Sequence, residues 1–124
     1  MKAMPQVTPE EIFEIDPNIR WAGLATRRGR VVFSKMKSGV ESITPEEDDR
    51  MLLEIRAQYI TEICEQVNRW AGPTDFIAMS HEKFIELIVI LSETYVCVTL
   101  EKSLPTKSLE EIANSIRSVA SPKG

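Results

Sequence analysis

A chain of 124 residues with 43% hydrophobic and 27% charged content has the size and balance of one globular domain with a real core. Its net charge of −4 does not favour general affinity for nucleic acid. The longest apolar run, Leu87 to Leu91, falls far short of a membrane span, and Met1 to Val7 has no signal-peptide-like core, so the expected compartment is the cytoplasm.

Residues 1–7 read as a flexible N-terminus, 8–120 as the domain and 121–124 as a fraying C-terminus. Thr8-Pro9-Glu10-Glu11 is a helix start of capping-box type, and Asp16-Pro17 ends the short helix that follows. Ile19 to Thr26 and Arg30 to Met36 read as two strands joined by a turn in which Gly29 supplies a positive φ. Gly23, inside the first strand, points to a bulge or to close packing of another backbone.

Thr44-Pro45-Glu46-Glu47 repeats the capping signature, and no Pro or Gly follows until Gly72-Pro73. A helix over Thr44 to Trp70 would be roughly 39 Å long at 1.5 Å per residue. It carries two apolar stripes about a quarter-turn apart. Leu52, Tyr59, Ile63 and Trp70 form one, and Leu53, Ala57, Ile60, Cys64 and Ala71 form the other. One stripe can cover a sheet. The other calls for a second partner, unless both lie in one deep groove of the same subunit. Arg56 projects between them, an awkward place for a charge unless it snorkels or pairs.

After Gly72-Pro73 come three expected strands, Asp75 to Ser80, Phe84 to Leu91 and Tyr95 to Glu101. The near-continuous apolar middle strand implies burial on both faces. Ser108-Leu109-Glu110-Glu111 is a third capping box, opening a last helix with Leu109, Ile112, Ile116 and Val119 on its apolar side. The order αββαβββα predicts an α+β fold. A five-stranded antiparallel sheet carries the long helix on one face and the two terminal helices on the other.

Chemistry-bearing motifs are scarce. Cys64 and Cys97 read as buried reduced thiols, because a disulfide or metal site needs a closer or richer cluster. His81 falls in a turn without catalytic partners, and Glu46 to Asp49 is explained by the positive end of a helix. Phosphate-loop, dinucleotide, Cys-x-x-Cys and nucleophile-elbow motifs are missing from the sequence. No cofactor, metal or enzymatic activity is therefore expected. Arg27, Arg28 and Arg30, with Lys35 and Lys37 nearby, could meet a protein partner or a phosphate, or form a solvated hairpin. Trp21, Tyr59 and Trp70 could line a ligand pocket, as in PAS-like sensors, or pack a core.

The Ile19–Met36 hairpin, the Thr44–Trp70 helix after a loop at Gly39, and the Gly72-Pro73 break before three strands resemble the Roadblock/LC7 domain of the profilin-like group. The resemblance covers nearly the whole chain. It implies a homodimer in which the long helices pack together and the third strands pair edge to edge. The interface residues it implies are Leu53, Arg56, Ala57, Ile60 and Cys64 on the helix, and Phe76 and Ala78 on the strand. It further implies a scaffold or regulator of a small GTPase or another protein. The Asp16–Gly23 and Pro45–Asp48 segments also resemble those of small archaeal proteins. The leading expectation is a non-enzymatic, dimeric interaction module, and the alternative is a PAS-like small-molecule sensor.

Overall fold

A computed structural model describes residues 7–121. The expected termini at 1–6 and 122–124 lie outside the described residues. Val7, assigned above to the flexible segment, packs into the core.

Helix α1 (Pro9–Phe13) opens with a complete capping box. The Glu11 N–H donates to Thr8 Oγ1 at 3.2 Å, and the Thr8 N–H donates to Glu11 Oε1 at 3.0 Å. Strands β1 (Ile19–Thr26) and β2 (Val31–Met36) form the hairpin, with Gly29 at φ +95° in its turn. The central helix is α2 (Glu46–Tyr59), a wide π-helical turn over Ile60–Cys64, and α3 (Glu65–Ala71). Gly72 ends it at φ +84°. Strands β3 (Phe76–Ser80), β4 (Phe84–Ile90) and β5 (Thr94–Glu101) form a meander, and α4 (Leu109–Ala120) closes the chain.

The five strands make one antiparallel sheet, as expected, and its spatial order is β2-β1-β5-β4-β3. Both β2 and β3 are edges. The buried middle is β5, flanked by β1 and β4, which accounts for the apolar run in β4. One face packs Leu24, Leu87, Val96 and Val98 against Ile12 of α1 and Ile112 and Ile116 of α4. The other packs Trp21, Ile88, Tyr95 and Cys97 against Leu53, Ala57, Ile60 and Cys64 of the central helix.

Two of the three expected caps are absent. At α2 the cap position is Pro45, which has no side-chain bond to offer. The Thr44 hydroxyl instead donates to the Asp49 carboxylate. At α4 a 3₁₀ turn over Thr106–Ser108 brings the backbone in already helical, so Ser108 makes no side-chain cap. A Ser or Thr caps a helix from extended φ/ψ. Thr8 has that conformation, at φ −104° and ψ 157°.

Gly23 marks close packing. A Cβ there would lie 2.5 Å from Trp21 Cη2 and 2.8 Å from Leu53 Cδ2. The irregularities in β1 fall elsewhere, between Leu24 and Ala25 and between Ile19 and Trp21. Gly23→Ala is expected to cost about 1–3 kcal/mol by overpacking, read as a lower midpoint in urea denaturation. An unchanged midpoint would show that Trp21 and Leu53 move aside freely.

Candidate functional site

Central-helix residues sort into two rows with opposite fates. Leu53, Ala57, Ile60 and Cys64 are buried against the chain's own sheet. Leu53 sits against Gly23, and Ala57 lies beside the hairpin turn, where a Cβ on Gly29 would stand 3.7 Å from its own. The other row is open: Met51, Leu52, Ile55, Tyr59, Ile63, Val67 and Trp70 are all exposed, and Trp70 is 84% exposed. Scattered single apolar residues on a surface need no explanation, whereas a contiguous patch marks an interaction site.

The expected interface set is therefore placed differently from the expectation. Leu53, Ala57, Ile60 and Cys64 have no surface to give to another chain, because the sheet already covers them. Arg56 pairs within its own chain. Phe76 is half-buried against the core on the α1 and α4 side, and Ala78 is exposed on the β3 edge. Which stripe faces the sheet could have been read from its small members, since Ala57 and Cys64 suit a close contact and Tyr59 and Trp70 do not.

The helix packs over β1 and β2, so beside it a groove of about 360 Å³ stays open. Leu52, Ile55 and Tyr59 form its helical wall, and Trp21, Met79, Ile88 and Thr99 come from the sheet. Ser42, Ile43 and Thr44 close one end. Trp21 and Tyr59 thus share a pocket as the sensor reading requires, while Trp70 is not among its lining residues.

A buried ion pair lies in the groove. Arg56 Nε donates to Glu86 Oε2 at 2.7 Å, and its NH2 group donates to Oε1 at 2.8 Å, a side-on bidentate contact. The Arg56 guanidinium lies 5.8 Å from the Trp21 ring centroid, within cation–π range. Burial alone would lower the Arg56 value. The charged, hydrogen-bonded Glu86 carboxylate opposes it and holds the guanidinium above its ordinary range. His81 stands at the rim, its Nε2 at 3.7 Å from Glu86 Oε1 and its ring edge-on to Phe84. Sequence reasoning found Arg56 but missed Glu86. A carboxylate inside the apolar run Phe84 to Leu91 was the available signal, because a charge there must be paired.

Other polar groups serve the fold. The Tyr95 hydroxyl donates to the Leu53 carbonyl and anchors the helix to β5. Burial raises the Tyr95 hydroxyl well above its ordinary value and pushes the Cys97 thiol up to about 12, so Cys97 is an unreactive thiol. Both cysteines are free and buried. Burial also raises Asp49, against the bond from Thr44 that favours its charged form.

The basic hairpin is split. Arg27 is tied to Glu65 at 3.2 Å and to the Ser92 carbonyl at 3.3 Å. Lys35 pairs with Glu10 at 2.7 Å and Lys37 donates to the Pro17 carbonyl at 3.2 Å. Arg28 and Arg30 are exposed. Among the described residues, no cluster of three His, Cys, Asp or Glu side chains could hold a metal ion, and no helix is long and apolar enough to cross a membrane.

No family model matches this sequence, and no curated protein is similar to it. Solved structures are similar to it in shape. An MglB structure with a tetrameric arrangement superposes with a TM-score of 0.72 at 11% identity, covering 97% of this chain and 94% of that one. A Roadblock/LC7 domain from Streptomyces avermitilis gives 0.64 at 11% identity, covering 89% and 92%. The fold is the Roadblock/LC7 fold. Its wider profilin-like character shows in profilin IB of Acanthamoeba castellanii, at 0.53 and 10% identity over 90% of each chain. The Roadblock/LC7 likeness rests on shape alone, since nine in ten residues differ. The comparisons give no support to the archaeal resemblance.

Proposed function

We propose that this chain is a non-enzymatic, self-associating protein-interaction module of Roadblock/LC7 type, working in the cytoplasm as a scaffold or regulator. The observation that carries this reading is the exposed apolar row of the central helix, from Met51 to Trp70, beside an open groove. A lone chain gains nothing from seven large apolar side chains on one solvent face, whereas a second apolar surface would bury them at about 25 cal/mol per Å². The β3 edge supplies a second attachment, because among the described residues its outer N–H and C=O groups have no neighbouring strand. Two copies joined along β3 would form one ten-stranded sheet with the two central helices on the same side.

The partner class implied by the Roadblock/LC7 resemblance is a small GTPase, and Arg28 and Arg30 are exposed cations for such a partner. Light scattering at micromolar concentration tests the self-association. The native chain should have twice the monomer mass, and Ile63→Glu should have the monomer mass with an unchanged circular dichroism spectrum. A native monomer would remove this reading. Salt-sensitive capture of a purified small GTPase, lost on Arg28→Glu/Arg30→Glu, tests the partner class.

A second reading, a small-molecule sensor, draws on one observation: Trp21 and Tyr59 line the same open groove. It expects a saturable change in Trp21 fluorescence with a metabolite, at a protein concentration where the mass does not change.

A further inference from the structure

Charges along the groove beside the central helix are matched within the chain, with one exception. Arg56 and Glu86 neutralise each other. Arg20 donates to Glu101 Oε1 at 2.8 Å and to the Glu41 carbonyl at 3.0 Å. His81 stands beside Glu86. The exception is Asp49, which lines the groove next to Thr44. Its carboxylate accepts the Thr44 hydroxyl, and among the described residues no Lys, Arg or His side chain pairs with it. The Arg56 charge reaches it only through space and is already matched by Glu86. Of the four acids that open α2, Glu46, Glu47 and Asp48 are exposed and only Asp49 is half-buried. The positive end of a helix accounts for acids in that turn, but not for one that lines an apolar groove. Burial raises the Asp49 carboxyl, as expected of a charge that has lost solvent without gaining a counter-charge.

We infer that the groove takes a small hydrophobic amine of arylalkylamine type, its ring against the apolar wall and its ammonium on the Asp49 carboxylate. The groove volume of about 360 Å³ falls within the range of small-ligand sites and suits one ring on a short chain. Trp21, Leu52, Tyr59, Met79 and Ile88 offer the ring apolar and aromatic contacts. Trp21 adds no polar contact, because its indole N–H is spent on Ser34 Oγ at 3.1 Å. An ammonium brings only donors, and a carboxylate bound by one hydroxyl keeps lone pairs to accept them. An anionic ligand fits poorly. It would face Asp49 and Glu86, while both guanidinium groups of the groove are taken and the unpartnered Arg56 Nη1 is itself buried. This inference rests on the small-molecule reading and adds the ligand's charge, its size and the residue that recognises it.

Three probes that share a phenyl ring test it on the full chain. Trp70→Phe leaves Trp21 as the only tryptophan, so emission reports the groove. At a protein concentration where the mass does not change, phenethylamine, phenethyl alcohol and hydrocinnamate present a cation, a neutral hydroxyl and an anion. The amine should give a saturable change and bind about tenfold more tightly than the alcohol, the margin of a charged hydrogen bond. Hydrocinnamate should bind more weakly than the alcohol. Asp49→Asn should bring the amine down to the level of the alcohol and leave the alcohol where it was. In the native chain, the carboxyl carbon resonance of Asp49 should move with the amine and stay with the alcohol, a readout that needs no variant at Asp49.

Equal binding of amine and alcohol, a preference for hydrocinnamate, or an amine preference that survives Asp49→Asn overturns the amine site and leaves a small-molecule groove intact. Silence of all three probes at millimolar concentration also overturns the amine site, and the metabolite titration above then decides the small-molecule reading on its own.

Discussion

Replacing Arg56 with alanine is expected to destabilise the fold by about 3–5 kcal/mol, because it strands a buried carboxylate. Glu86 is 5% exposed on β4, and its two oxygens are taken by the Nε and NH2 groups of Arg56. His81, at 3.7 Å, is too far to replace that bidentate contact. Total stability of a domain is only about 5–15 kcal/mol, so the variant should sit at or near the edge of folding. Urea denaturation monitored by far-UV dichroism measures the change. Arg56→Met/Glu86→Leu should recover most of the loss, since removing both charges leaves an apolar groove wall without an orphan. A double variant no more stable than Arg56→Ala would show that the cost lies in lost packing on Trp21 rather than in the stranded charge.

Glutamate at two positions three residues apart on the central helix should have opposite consequences. Ile60 is fully buried beneath the sheet, while Ile63 is 48% exposed. Ile60→Glu must either bury a charge or open the helix–sheet contact, and should cost about 4 kcal/mol or more. Ile63→Glu keeps its carboxylate in water and should leave single-chain stability within about 0.5 kcal/mol. Thermal unfolding of both variants at low concentration, where association does not contribute, separates them. Equal losses would mean that the wide turn over Ile60–Cys64 places these side chains otherwise than described.

Most of the architecture was legible because it rests on local signals. Period-two and period-3.6 hydropathy located every strand and both long helices, and Gly29 and Gly72 stood where turns need a positive φ. Caps were less legible. A Thr-Pro-Glu-Glu string is identical in sequence at Thr8 and Thr44, yet Thr8 is itself the cap residue of its helix, whereas the second helix begins one residue later and puts Pro45 at the cap position. Two stripes could be counted from spacing, but hydropathy does not say which one a sheet will cover. That choice depends on the closest approach of the partner layer, which here is set by Gly23 on a distant strand. The Arg56–Glu86 pair joins positions brought together only by the closed sheet. Each charge was visible as an anomaly in its own element, and neither announced the other.

The strand order has a kinetic consequence. Hairpin β1–β2 and the meander β3–β4–β5 can each zip from their own short turns. The seam between them is β1 against β5, from Ile19↔Leu100 to Thr26↔Thr94. It joins residues roughly 70–80 positions apart, whose loop-closure entropy must be met before any pairing rewards it. Until that seam closes, β1 has a bare inner edge carrying Ile, Trp, Ala and Leu, and β5 one carrying Tyr, Val, Cys and Leu. The slow step of folding is therefore also the moment when two chains can exchange halves, one supplying the hairpin and the other the meander.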